Sequence, residues 1–374
     1  MLTLASPLEM QRPPVVRFGV GQVETLAPWL AAAGVRRPFV VADKVNAARL
    51  SILGLKDATL FGDVKPEPDL PNLEAAVAAA KAAQADAVIG FGGGSAMDLA
   101  KLVAVLATSD LALSDISGPN RAPARQVRLA QIPTTAGTGS EVGTRALVTD
   151  PATLNKVATE SVHMLADIAI IDPALTVSVP PAVTAATGVD AMAHCVEAFT
   201  SRRSHPIIDA YALQGIELVG RYLARAVEDG GDLEARAGLA LAAFYGGVCL
   251  GPVNTTAGHA ISYPLGTRHK LAHGIANALI FPHTLAANAP AVPDKTAQIA
   301  RALGFGAEGR QQVLGGATDF CQRLGLDMAL RAHGVPRDDL PASAKEAHAI
   351  RRLLDWNPVD LSEADILEIY EAAY

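Results

Sequence analysis

The sequence predicts two domains: an N-terminal α/β domain with a parallel, Rossmann-like sheet over residues 1–176, and an all-α domain over residues 177–374. Three observations carry this reading. The first half alternates short β-rich runs with alanine-rich helical runs, the pattern of a parallel sheet flanked by helices. Past Asp172-Pro173 and Val179-Pro180-Pro181, strand signals nearly vanish and long helical patterns take over. At 374 residues the chain exceeds one ordinary core, and with 50% apolar residues it can fill two.

Taken in order, Phe39-Val40-Val41-Ala42 reads as the first clear strand, and Leu73 to Ala83 as a helix. Ala87-Val88-Ile89-Gly90-Phe91 is apolar throughout, as a strand buried on both faces must be. Further strands are expected at Val127 to Ile132, Ala146 to Thr149 and Ile168 to Ile171. In the second half, helices are expected at Val183 to Ser201, Pro206 to Val227 and Leu233 to Leu250, with several more to Tyr374.

A net charge of −7 without a basic run argues against a nucleic-acid surface. The N-terminus meets Glu9 before any basic residue and has no apolar core, so no signal peptide is expected. The apolar run Ala237 to Val253 contains four glycines and a proline, and it reads as a buried helix, not a membrane span. Cys195, Cys249 and Cys321 are too few and too scattered for a disulfide framework. A soluble cytoplasmic protein with reduced thiols is the expectation.

The strand at Ala87 runs into Gly92-Gly93-Gly94-Ser95, and a helix then opens. Consecutive glycines let backbone approach a ligand, and N–H groups at a helix start attract anions such as a pyrophosphate. A tight strand–helix turn without a ligand would use the same residues. A second polar loop, Pro133-Thr134-Thr135-Ala136-Gly137-Thr138-Gly139-Ser140-Glu141, also follows a strand. Ligands of open parallel sheets sit at the carboxyl ends of strands, so two such loops favour a nucleotide. Asp43 closes the strand at Phe39, where a carboxylate either selects NAD by holding a ribose or caps a helix. Lys156 reads either as a nucleotide contact or as a surface strand residue.

Asp190 and His194 stand four apart, one turn on one helix face, inside an apolar pattern. Burying them requires a partner, which is either each other or a metal. His259 and His273 flank Pro264-Leu265-Gly266, which is expected to end one helix, with His259 near that end and His273 opening the next helix. Three imidazoles and a carboxylate suit Zn²⁺ or Fe²⁺. His269 and His283 are alternatives by spacing.

With these motifs in this order, the sequence resembles the iron-containing (group III) alcohol dehydrogenase family. The matching stretches are Gly92-Gly93-Gly94-Ser95 with Asp98 and Lys101, the Thr134–Glu141 loop, Asp172-Pro173-Ala174-Leu175-Thr176, Thr187-Gly188-Val189-Asp190-Ala191-Met192-Ala193-His194, His259 with His273-Gly274, and Asn357-Pro358. The resemblance implies a cofactor in a cleft between two domains and a divalent metal, Fe²⁺ with Zn²⁺ as alternative, held by Asp190, His194, His259 and His273. It implies NAD(H) as cofactor, with contacts expected from Asp43, Gly92, Gly93, Gly94, Ser95, Asp98, Thr134, Thr135, Thr138 and Lys156. Many relatives carry a further His four residues after the one matched by His259; here that residue is Tyr263, as a proton relay or as a pocket wall. Arg145 falls near the substrate position of relatives, where it would fork a carboxylate or else be structural.

The implied reaction is hydride transfer between nicotinamide and a small alcohol or aldehyde, with the metal acting as a Lewis acid. Two alternatives stand beside it: a maleylacetate reductase or hydroxyacid–oxoacid transhydrogenase activity on a carboxylate, and a cyclase of the dehydroquinate synthase type. Neither a nucleic-acid nor a membrane partner is expected, and relatives suggest a homodimer or larger homo-oligomer.

Overall fold

The computed structural model of the chain describes residues 2–152 and 156–374. Among them lie nine strands: β1 (Val15–Phe18), β2 (Pro38–Ala42), β3 (Thr59–Phe61), β4 (Ala87–Gly92), β5 (Gly118–Pro119), β6 (Arg128–Pro133), β7 (Arg145–Thr149), β8 (Lys156–Glu160) and β9 (Ile168–Ile171). Six form one sheet in the order β1-β9-β6-β4-β2-β3, and every neighbouring pair is parallel. β4 and β9 are buried at every position, which explains their unbroken apolar sequences.

The expected strands at residues 39, 87, 127 and 168 all join this sheet. β1 and β3 carried too weak a signal: they lie at the two edges, are short, and keep Phe18, Thr59 and Leu60 exposed.

The strand expected at Ala146 belongs elsewhere. It pairs antiparallel with β8 in a separate three-stranded sheet of order β5-β8-β7. Along β7 only Ala146 and Val148 are buried, alternating with half-buried Arg145, Leu147 and Thr149. One-sided burial of that kind suits an antiparallel ribbon, whereas a central parallel strand is covered on both faces.

The chain divides into two compact units. The α/β unit runs from Gln11 to Thr135 and from Gly139 to Val177. The helical unit starts at Ser178 and also takes in the N-terminal stretch through Met10 and the loop tip Ala136–Thr138. Those two excursions cross the single cut expected at residue 176.

In the helical unit the long helices are Pro181–Thr200, Pro206–Glu228, Leu233–Leu250, Ala257–His269 and His273–Asn288. The first is buried almost all round from Thr184 onward, so it is a central helix rather than an amphipathic cover. Small residues let its neighbours close on it: a Cβ added at Gly188 would lie 2.3 Å from Leu223 Cδ1, and one at Gly246 3.2 Å from His194 Cβ. Leu233–Leu250 is long and apolar enough to cross a membrane by composition, but 61% of it is buried inside this unit, as the core-helix reading expects.

Candidate functional site

The parallel sheet brings three of the sequence-predicted loops together. β2, β4 and β6 are neighbours, and their carboxyl ends deliver Asp43, Gly92–Ser95 and Thr134–Thr135 respectively. Thr134 N–H donates to Gly92 O at 2.9 Å. A Cβ at Gly92 would stand 2.8 Å from Ala96 Cβ and 3.2 Å from Asp43 Oδ2, and one at Gly93 3.2 Å from Thr135 Oγ1. A side chain at Gly92 would therefore force the helix start to shift, and one at Gly93 would need Thr135 to give way. Gly93 caps the thirteen-residue helix Gly94–Leu106, whose first N–H groups are left for a ligand or water.

Asp43 is also a helix cap: it accepts from Asn46 N–H at 3.0 Å and from the Asn46 side-chain amide at 2.7 Å. Ser95 Oγ accepts from Glu67 N–H at 3.3 Å, and Lys156 is ion-paired with Glu67, which sets Ser95, Glu67 and Lys156 side by side. Asp98 is engaged within the protein. It accepts from Ser140 Oγ at 2.5 Å and from Leu147 N–H at 2.9 Å, tying the helix to β7 and to the end of the threonine loop. Thr138 is half-buried at the loop tip that groups with the helical unit, where Gly137 packs on Thr187.

Arg145 is turned to structure. Its Nε and one terminal nitrogen donate to Glu160 Oε2 at 3.3 and 2.7 Å, and Glu160 is its cross-strand partner on β8. That contact takes up one edge of the guanidinium.

Behind the loops lies a fully buried Lys101, which donates to Ser140 Oγ at 2.7 Å and Arg145 O at 2.8 Å. Beside it, burial pushes the Glu141 carboxyl up to about 7, with Lys101 opposing. An acid with a raised folded value stabilises the fold below its unfolded value and loses that contribution as pH rises toward 7. Thermal stability should therefore fall between pH 5 and about 7, the value of the carboxyl in the folded state. Glu141→Gln should flatten this step in melts across that range; an equal step in the variant would refute it.

The second cluster lies in the helical unit. Asp190, His194, His259 and His273 present ligand atoms all within 4.8 Å of one another. Asp190 Oδ1 lies 3.8 Å from His194 Nε2, 3.5 Å from His259 Nε2 and 3.5 Å from His273 Nε2. The His194 and His259 Nε2 atoms are 3.0 Å apart, with their rings stacked at a centroid distance of 4.6 Å. Asp190, His194 and His259 are buried; His273 is partly open, with 24% of its side chain exposed.

The one-turn spacing of Asp190 and His194 holds as read. The expected break at Pro264 does not. Proline lies inside the helix Ala257–His269, so His259 stands in its first turn rather than its last. Proline's fixed φ is compatible with helix, and the helix continues although the ring removes the bond to Ala260 O and crowds that carbonyl. The helix ends instead at Lys270, in the left-handed conformation (φ 57°), and His273 then opens the next helix. His269 and His283 are not in the cluster; burial, with Arg310 adding to it, pushes His283 down to about 4.

Two further residues complete the cluster without having been read from the sequence. Asn277 donates from Nδ2 to Asp190 Oδ1 at 2.6 Å and lies 3.1 and 3.2 Å from the Nε2 atoms of His259 and His273. Glu197 Oε1 lies 2.5 Å from His259 Nδ1. Both had a spacing signal, since Glu197 follows His194 by three residues and Asn277 follows His273 by four. Tyr263, one turn after His259, sets its ring edge-on to His259 at 6.3 Å and lies 6.1 Å from His273.

Electrostatics follow from this packing. Burial works against the Asp190 anion, yet His194, His273 and His259 outweigh it and hold its carboxyl well below the usual range. Burial pushes His194 down. It works against the His259 cation too, but Glu197 and Asp190 prevail and hold that imidazole well above its ordinary value.

The cluster fits a divalent cation. Among the described residues neither Asp190 nor Glu197 has a Lys or Arg within ion-pair distance. An uncompensated buried carboxylate costs several kcal/mol, so two of them call for about two positive charges at this spot. Two imidazole nitrogens 3.0 Å apart likewise need a cation or a proton between them. Three nitrogens and one carboxylate oxygen form a donor set that both Fe²⁺ and Zn²⁺ accept.

Comparison with known proteins agrees with both halves. The family model described as "Iron-containing alcohol dehydrogenase" matches residues 13–173, and the "Fe-containing alcohol dehydrogenase family, C-terminal" model matches residues 184–374. The chain is 37% identical to long-chain-alcohol dehydrogenase 1 of Geobacillus thermodenitrificans, across 97% of this chain and 95% of that protein. It superposes on the crystal structure of a 1,3-propanediol oxidoreductase with a TM-score of 0.93 at 30% identity, covering 99% of this chain and 100% of that one. A sulfoacetaldehyde reductase from Bifidobacterium kashiwanohense, solved in complex with NAD⁺, matches with a TM-score of 0.89 at 28% identity over 99% of each chain.

Proposed function

Because the chain belongs to the iron-containing alcohol dehydrogenase family, we propose that Asp190, His194, His259 and His273 hold its divalent metal and that the loops ending β2, β4 and β6 hold its NAD(H). The protein is a metal- and NAD(H)-dependent oxidoreductase acting on a small alcohol or aldehyde. When bound, the metal would supply Lewis acidity toward a substrate oxygen and NAD(H) would supply or accept the hydride. The observation that carries this reading is the buried set of three imidazoles and a carboxylate, which among the described residues has no Lys or Arg within ion-pair distance.

The chain's own residues supply position and charge. Asp190 supplies the anionic donor of the set. His273 borders the accessible side, and Tyr263 shapes the space beside it. In the α/β unit, the N–H groups opening Gly94–Leu106 receive the pyrophosphate, as helix N-termini do for anions. Asp43, beside Gly92, accepts from a ribose hydroxyl and repels a 2′-phosphate.

Replacing Asp43 by Gly should shift the kcat/KM ratio toward NADP by about tenfold, the worth of roughly 1.4 kcal/mol. Glycine at a helix cap costs only a few tenths of a kcal/mol, so stability should hardly change. An unchanged cofactor ratio in steady-state assays would count against the ribose role.

Small neutral alcohols and aldehydes are the substrate class favoured here, because the Arg145 fork that would have bound a carboxylate is engaged by Glu160. We further infer a cytoplasmic homo-oligomer. The buried free thiols of Cys195, Cys249 and Cys321 suit a reducing compartment, and light scattering on the purified protein tests assembly.

The deciding experiment loads stripped protein anaerobically with Fe²⁺ or Zn²⁺ and follows NADH absorbance with neutral and anionic carbonyl compounds. Metal-dependent, stoichiometric NADH consumption, faster with neutral aldehydes, is the expected result. Metal uptake without NADH consumption by any carbonyl would overturn the reading in favour of a cyclase, which regenerates NAD within each turnover.

A further inference from the structure

We infer that Glu197 is a positioning residue of the metal site: it keeps the proton of His259 on Nδ1 and thereby leaves Nε2 as a lone pair aimed at the metal. The inference rests on the reading of Asp190, His194, His259 and His273 as the ligand set.

Its basis is the hydrogen-bond arithmetic around one buried carboxylate. Glu197 lies seven residues after Asp190 and three after His194, so all three share one face of the Pro181–Thr200 helix. Its Oε2 accepts from Thr256 N–H at 2.6 Å, Thr256 Oγ1 at 3.2 Å and His259 N–H at 3.3 Å. Its Oε1 lies 2.5 Å from His259 Nδ1. An ionised carboxylate only accepts, so the Nδ1 side of that short contact must be the donor.

The carboxylate thus clamps both backbone and ring of His259 at the first turn of its helix. Gly258 makes the approach possible: a Cβ there would stand 2.7 Å from Glu197 Oε1. A carboxylate holding the far nitrogen of a metal-binding imidazole fixes its tautomer and orientation and raises its basicity.

This arrangement distinguishes Glu from its isostere. In Glu197→Gln the side-chain oxygen must face the two backbone N–H groups, because these have no other role to offer. The amide NH₂ then faces His259 Nδ1, which becomes an acceptor, and the ring proton moves to Nε2, where it blocks the metal. A residue that merely filled space would be replaced by Gln with little effect on metal binding.

The test uses the full-length protein stripped of metal, with Zn²⁺ alone as the probe. Competition against a chromophoric chelator should show Zn²⁺ affinity falling roughly 10–100-fold or more in Glu197→Gln, while the melting temperature of the metal-free protein stays near the wild-type value. In wild-type protein labelled with ¹⁵N-histidine, long-range ¹H–¹⁵N spectra of the Zn²⁺ form should show His259 protonated at Nδ1.

Wild-type uptake of Zn²⁺ with equal affinity in the Gln variant would overturn the inference and leave the ligand set standing. A wild type that takes up no Zn²⁺ overturns the ligand set, and the inference with it. Should the variant fail to fold, the wild-type spectrum decides: a proton on His259 Nδ1 supports the role, and an unprotonated Nδ1 refutes it.

Discussion

Replacing His273 by alanine should release the metal and lower kcat/KM by roughly 10³-fold or more while the fold survives. The size of the loss follows from what a Lewis acid contributes: several kcal/mol of stabilisation for a charge developing on oxygen, at 1.36 kcal/mol per factor of ten. His273 is the best of the four ligands to remove. It is the only one of the cluster with appreciable exposure, 24% of its side chain, so truncation leaves no sealed cavity. It also sits at the first residue of its helix, where alanine is well tolerated. Metal content after dialysis, the melting curve and NADH turnover should be measured together. Full metal retention with wild-type turnover would remove His273 from the site.

The second large effect is expected from its neighbour. A Cβ added at Gly274 would lie 2.6 Å from the carbonyl oxygen of Ala186 and 2.8 Å from its carbon. Both contacts are to backbone, so no side chain can rotate away, and the start of the His273–Asn288 helix must move off the Pro181–Thr200 helix. Overpacking of this kind costs about 1–3 kcal/mol. The movement also separates His273 from Asp190, now 3.5 Å from it, and a misplacement of about 1 Å can cost roughly 10²-fold in rate.

Gly274→Ala should therefore melt earlier and bind Zn²⁺ more weakly. Gly315→Ala is the control. It lies inside the Arg310–Arg323 helix with nothing within 4 Å of the added carbon, so it should be neutral or slightly stabilising. Wild-type melting and Zn²⁺ affinity in Gly274→Ala would show that the two helices have slack that the packing here denies.

How far the site was legible depends on sequence distance. Asp190 with His194 was readable because one helical turn converts four residues of spacing into one face. The same rule would have found Glu197 and Asn277, had it been extended by three residues past His194 and four past His273. What no local rule supplies is that His259 and His273 meet Asp190, across sixty-nine and eighty-three residues of chain. Nor could the ring's tautomer be read, since it follows from a carboxylate sixty-two residues away. Pro264 was misread as a helix end because proline's cost in a helix depends on whether the freed carbonyl can be accommodated, which neighbours decide.

The same division runs through the α/β unit. The buried strands at Val40, Ile89 and Ile170 announce themselves, because burial on both faces demands unbroken apolar residues. The edge strands β1 and β3 face that demand on less of their surface and so left a fainter trace. Asp43 was correctly placed at the end of a strand, but the sequence left cap and ribose contact open, and the structure shows the cap. Arg145 offered a fork for an anion until Glu160 proved to stand opposite it on β8.

By itself, then, the sequence determined the two-part architecture, the central strands, the glycine and threonine loops and the identity of the donor atoms, because each is written in residue type and short-range spacing. The family resemblance already implied which histidines converge, whereas tertiary structure alone decided which carboxylate orients them and which charges are already paired. Those facts depend on atoms brought together from distant parts of the chain, where packing and the need to pair every buried charge select among arrangements that the sequence leaves equal.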